Sequence, residues 1–191
     1  MPVQTVAVIG GGTMGSGVAL TVVTNAMNCI VVDTNGAQLE TAQAYHKNQL
    51  DRSVSKERTT QGEANEAQAR ISYVSQMSKA ADADWAIEAA TENVDIKKSI
   101  FSQMRETFRD DVVLATNTSS ISITDLASSV HGAESRVIGM HFFNPVPVMK
   151  LVEVIRGKET SDETTAATIA LAESMGKTPI AANDFAGFVS N

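Results

Sequence analysis

The chain has 191 residues, 43% of them hydrophobic and 19% charged, with a formal net charge of −7. That balance fits a globular protein of one domain or slightly more, long enough to bury a full core, and its acidity argues against a nucleic-acid surface, which needs clustered cations. A single cysteine, Cys29, excludes a disulfide framework. No apolar run nears the ~20 residues that span a bilayer, and the N-terminus lacks a basic region leading into a secretory segment, so a cytoplasmic protein is expected.

Apolar runs alternate with helical patterns from the start. Val3–Ile9 reads as a strand, Thr13–Ala26 as a helix, and Cys29–Asp33 as a second strand with Cys29 in the core. A long polar helical stretch begins at Ala37, with Leu39, Ala42, Tyr45 and Leu50 at mixed three- and four-residue spacing; it runs to about Ala69 with a break near Thr59–Gly62. Ile71–Val74 and Trp85–Ala89 read as strands. Asp95–Arg109 reads as a helix with Ile96, Ile100, Phe101, Met104 and Phe108 on one face, and Val112–Thr116 as the fifth strand. Ile123–Val130 is helical and Arg136–Phe142 is the sixth strand. Such alternation means a doubly wound, mostly parallel α/β sheet with helices on both faces.

The pattern changes after His141. Pro145 and Pro147 bracket a reversal before the apolar run Val148–Ile155. A parallel crossover needs a dozen or more residues, so the strands after the sixth are expected to be antiparallel to it. A helix capped by Ser161 or Asp162 runs to about Met175, Gly176 stops it, and Thr178–Ala182 is a last short strand.

The first strand ends in Gly10-Gly11-Gly12-Thr13-Met14-Gly15, which fits G-x-G-x-x-G. In that motif the first glycine allows a tight turn, the second lets backbone approach a pyrophosphate, and the third lets the helix sit close on the sheet. The helix N-terminus offers its N–H groups to the phosphates. The motif carries weight here because a strand precedes it, a helix follows it, and Asp33 stands at the end of the second strand. Asp33 would repel a 2′-phosphate, and Thr34-Asn35 supplies no arginine to bind one, so NAD is expected over NADP.

Ligands in open α/β sheets bind beyond the carboxyl ends of the strands. Glu92, Asn117-Thr118-Ser119-Ser120, His141 and Asn144 all fall there. Of the three histidines, His46 and His131 read as solvated surface residues. His141 ends an apolar strand. If the reversal centres on Pro147, His141 faces Glu153, a lone charge in Leu151-Val152-Glu153-Val154-Ile155 that needs a partner. A carboxylate on one ring nitrogen fixes the tautomer and raises the basicity of the other, as a histidine base requires. No metal-ligand pattern forms part of this reading.

On these residues the chain resembles the NAD-binding domain of the L-3-hydroxyacyl-CoA dehydrogenases, which include short-chain 3-hydroxybutyryl-CoA enzymes. The resemblance covers essentially the whole chain. It is carried by Val8–Gly15, by Ala115-Thr116-Asn117-Thr118-Ser119-Ser120, by His141 through Glu153, and by Gly187-Phe188-Val189-Ser190-Asn191. It implies a Rossmann-type fold and hydride transfer between C3 of an L-3-hydroxyacyl-CoA and NAD, as in fatty-acid β-oxidation or short-chain 3-hydroxybutyryl-CoA metabolism.

The implied catalytic set is His141 as general base, Glu153 as its partner, Ser119 on the C3 oxygen, and Asn191. Implied cofactor residues are Gly10, Gly12, Thr13, Met14, Gly15 and Asp33, with Glu92, Lys97, Asn117 and Asn144 around the nicotinamide half; ordinary surface polarity is the competing reading for these last four, Lys97 above all. Coenzyme A would be received on the long helical stretch, whose cations are Lys47, Arg52, Lys56 and Arg58, with Lys56 the best match.

The resemblance further implies a domain at 1–184 and, from 185–191, the start of a connection to a C-terminal helical domain that closes the substrate site and makes a homodimer. Residues 1–191 alone are then expected to bind NAD(H), turn over poorly, and expose Phe142, Phe143, Phe185 and Phe188. Departures from the family pattern are Gly11 for alanine, Thr116 for serine and Ala186 for proline. Two rivals stay open: a dehydrogenase of a related 3-hydroxy acid without CoA, and a non-catalytic NAD-binding module.

Overall fold

A computed structural model of the chain describes residues 3–184. The strands are β1 Thr5–Ile9, β2 Asn28–Val32, β3 Ile71–Val74, β4 Trp85–Glu88, β5 Val113–Thr116, β6 Val137–Phe142, β7 Leu151–Arg156 and β8 Thr178–Asn183. The helices are α1 Thr13–Thr24, α2 Gly36–Ser55, α3 Gln61–Ala69, α4 Val94–Thr107, α5 Ile123–Ala127 and α6 Asp162–Ser174. Short 3₁₀ turns at Met77–Ala80 and Glu134–Arg136 complete the described elements.

All strands form one sheet in the order β3-β2-β1-β4-β5-β6-β7-β8. Pairing is parallel throughout except between β6 and β7. β8 then lies parallel to β7, so the last two strands run against the rest, as expected. The strand order reverses between β1 and β4, and the crevice at their carboxyl ends is where a doubly wound sheet binds its ligand.

Alternation along β1 sends Val6 and Val8 into one buried cluster with Val18 and Val22 of α1. It sends Ala7 and Ile9 into another with Phe101 and Met104 of α4. Both faces are therefore covered.

Local capping explains most helix starts. The Asn35 and Asn93 side chains accept from Ala37 N and Ile96 N, and the Ser161 hydroxyl accepts from Thr164 N at 3.0 Å. Thr60 and Glu63 form a reciprocal capping box at α3. α1 differs: it starts at Gly12 with no side-chain cap. Gly176, at φ +68°, ends α6 as expected.

Four sequence expectations need correction. The helical break comes earlier, after Ser55, because Glu57 turns into positive φ. Val148 and Met149 are not in the strand; they are exposed in the turn before it. Ile96 is 53% exposed, and the inward face of α4 is built by Lys97, Phe101 and Met104 instead. Phe142 is 1% exposed and Phe143 half-buried, so they form no open apolar patch; Phe185 and Phe188 lie outside the described residues.

Candidate active site

The glycine turn has the geometry that its sequence required. Gly10 adopts φ +110°, and a Cβ there would stand 2.7 Å from Ala90 Cα. A Cβ at Gly15 would stand 1.8 Å from Gly10 O, so only glycine lets α1 approach the turn this closely. At Gly12 a Cβ would meet nothing within 4 Å, which leaves open space beside the uncapped first turn of α1 at Thr13 and Met14. That space and those N–H groups suit a pyrophosphate.

Asp33 closes the turn from the side. Its Oδ2 accepts from Gly11 N at 2.8 Å and its Oδ1 from Asn35 N at 2.9 Å. Two residues missed by the sequence reading brace Gly11: Gln38 Nε2 and the Ser16 hydroxyl both donate to its carbonyl at 2.9 Å.

The loops beyond β4, β5 and β6 are tied together. Glu92 accepts from the Thr118 hydroxyl at 2.7 Å and from Ser119 N at 3.1 Å, which fixes the loop carrying Ser119. Asn117 Oδ1 accepts from Phe142 N at 2.9 Å, beside His141. Beneath them, Lys97 is fully buried in an ion pair with Glu88. Its Nζ also donates to Thr116 Oγ1 at 3.1 Å and to Asn117 O at 3.3 Å. Lys97 is thus no surface residue; it sits under the loops that follow β4 and β5. Glu88 went unrecognised, although its signal matched that of Glu153: a lone charge in an apolar strand.

His141 pairs directly with Glu153 across β6 and β7, as the proline-centred reversal predicted. His141 Nδ1 lies 2.8 Å from Glu153 Oε2, with His141 9% and Glu153 1% exposed. The His141 ring also lies against Phe143, centroids 4.5 Å apart. A carboxylate accepts, so Nδ1 carries the hydrogen and Nε2 is the nitrogen suited to proton exchange with a substrate. Asn144 is exposed in the following turn.

His46 was expected in solvent and is instead fully buried. Its Nε2 lies 2.8 Å from Ser16 O and its Nδ1 2.7 Å from the Tyr73 hydroxyl, linking α2 to α1 and β3. Burial lowers its pKa below the ordinary histidine value, against the raising effect of the Ser16 hydrogen bond. His131 is exposed, as expected.

A groove of about 800 Å³ runs between α1, α2 and α3, with Pro147 and Val148 forming one side. Arg52, Lys56, Arg58 and Arg70 line it together with Glu63 and Glu66. Arg70 is paired with Glu66 at 3.0 Å, while Arg52, Lys56 and Arg58 have no ion-pair partner among the described residues. Lys47 lies elsewhere, paired with Asp51 at 2.6 Å beside a smaller groove. Asn191 lies outside the described residues. No helix among them is long and apolar enough to cross a membrane.

Sheet order, glycine turn and buried histidine–carboxylate pair together define a dinucleotide-binding domain of the dehydrogenase type. Comparison makes the assignment narrower. The sequence model of the family described as "3-hydroxyacyl-CoA dehydrogenase, NAD binding domain" matches residues 5–185, and the chain belongs to that family.

The chain is 44% identical over 191 residues to the "Probable 3-hydroxybutyryl-CoA dehydrogenase" of Bacillus subtilis, covering all of this chain and 66% of that protein. It is 40% identical over 190 residues to the fatty acid oxidation complex subunit alpha of Acinetobacter baylyi, covering all of this chain and 26% of that one. The crystal structure of (S)-3-hydroxybutyryl-CoA dehydrogenase from Ralstonia eutropha superposes with a TM-score of 0.96 at 44% identity, over all of this chain and 67% of that one. The chain therefore spans about two thirds, or about a quarter, of the length of the curated relatives it matches.

Proposed function

We propose that this chain is the NAD-binding part of an enzyme that transfers hydride between C3 of an L-3-hydroxyacyl-CoA and NAD, giving the 3-ketoacyl-CoA. The observation that carries the reading is the buried His141–Glu153 pair at the same strand ends as the glycine turn. NAD, when bound, supplies the hydride acceptor. Gly10, Gly12, Thr13, Met14 and Gly15 hold its pyrophosphate and Asp33 its adenine ribose. Glu92, Asn117 and Asn144 border the nicotinamide half, with Lys97 supporting them from below.

His141 Nε2 takes the hydroxyl proton from the substrate in the oxidative direction and returns it in the reductive one. Glu153 keeps the hydrogen on Nδ1 and stabilises the imidazolium that forms. Ser119 hydrogen-bonds the C3 oxygen, and Asn191 belongs to the same site.

The groove cations support coenzyme A as the carrier. Lys56 and Arg52 hold its phosphates, and the unpaired state of both among the described residues leaves their charge available. In this reading residues 1–184 are the cofactor domain and 185–191 begin a connection to a helical domain, through which the protein forms a homodimer in the cytoplasm.

The test is oxidation of NADH by the full-length protein with acetoacetyl-CoA or with free acetoacetate. Turnover with the thioester alone is expected. Equal use of the free acid would point to a dehydrogenase that ignores CoA, and no oxidation with either would leave a binding module.

A further inference from the structure

The turn between His141 and Glu153 is held by a buried lysine. Lys177 is 8% exposed. Its Nζ donates to the main-chain carbonyls of Val146 and Met149, the latter at 2.9 Å. The same turn is closed from within by Pro145 O, which accepts from Val148 N at 2.9 Å and Met149 N at 3.0 Å. Val146 is 2% exposed and packs so tightly on α1 that a Cβ at Gly17 would stand 2.8 Å from its own. Pro147 and Val148, next in sequence, line the groove that holds Arg52 and Lys56.

One amine thus fixes a turn that leans on α1 and forms a wall of the groove. Lysine is rarely buried without a paired charge, and carbonyls compensate its lost hydration less well than a carboxylate does. Burial, and then the charge of Lys150, hold the Lys177 ammonium below the ordinary lysine range. Methionine would fill similar space without that cost, so the amine acts through the two carbonyls it holds.

We propose that Lys177 is a positioning residue for the acyl-CoA groove, setting the height at which Pro147 and Val148 meet a ligand bound to Arg52 and Lys56. The proposal rests on reading that groove as the coenzyme A site.

Calorimetric titration of the full-length protein with coenzyme A, and separately with NADH, tests it. In Lys177→Met the coenzyme A dissociation constant should rise about tenfold while that for NADH stays within about twofold. Gly17→Ala displaces Val146 from the other side and leaves the amine intact, so it should reproduce the same selective loss even if Lys177→Met folds poorly. Coenzyme A affinity unchanged in either variant, or equal loss of both ligands, would overturn the positioning role. Failure of wild type to bind coenzyme A while binding NADH would instead overturn the reading of the groove, and that outcome is visible before any variant is made.

Discussion

The Lys97 ammonium and the Glu88 carboxylate form an ion pair in which neither side chain has any exposed surface. Glu88 Oε1 accepts from Ala90 N at 2.8 Å, beside the glycine turn, and Lys97 holds the Asn117 carbonyl. The pair therefore joins the two loops between which a dinucleotide would lie. Removing one partner strands a buried charge, at a cost of ~3–5 kcal/mol. Lys97→Met should lower the urea midpoint by a corresponding amount, and Lys97→Met with Glu88→Gln should recover part of it. A double variant no more stable than Lys97→Met alone would show that the two charges are not coupled.

His46 predicts a pH dependence of stability. Its folded-state pKa lies below the ordinary 6.5 because burial penalises the cation. The unfolded chain then binds the proton more readily, so stability is full above about pH 6.5 and is lost as pH falls through the window beneath it. Urea midpoints measured from neutral to mildly acid pH should decline for wild type and decline less for His46→Gln. Identical slopes would remove His46 from this role.

Asp33 should govern cofactor choice. Its carboxylate already orients Gly11 and Asn35 through two backbone N–H groups. Asp33→Ala should weaken NAD binding and relax discrimination against NADP, both read by titrating the two cofactors against wild type and variant. Unchanged NAD affinity would contradict the assignment.

Lys56 distinguishes a phosphate site from a solvated helix end. In the full-length protein, Lys56→Ala should raise KM for an acyl-CoA more than for the same acyl group on pantetheine, which lacks the nucleotide end. Equal effects on both substrates would return Lys56 to the surface.

Much of this was legible in the sequence where the signal was local. The strand–glycine–helix succession announced the turn, and the lone charge of Glu153 in an apolar run announced its partner. The Pro147-centred reversal then gave their register. What escaped depends on residues distant in the chain. His46 sits among polar neighbours, and its burial follows from a carbonyl at Ser16 and a hydroxyl at Tyr73. The inward face of α4 was misread because Lys97, a charge, displaced Ile96 from it; only its buried partner Glu88 makes that possible. The groove wall at Pro147 and Val148 was hidden because Gly17, Val146 and Lys177 meet only in the folded sheet.

The role of His141 is tested most directly by acetoacetyl-CoA reduction in the full-length protein, comparing wild type with His141→Gln and measuring NADH binding on both. Glutamine keeps a polar side chain but cannot exchange the proton, so turnover should fall by ~10²–10⁴-fold while the NADH dissociation constant stays within about twofold. Near-wild-type turnover in His141→Gln would contradict the account.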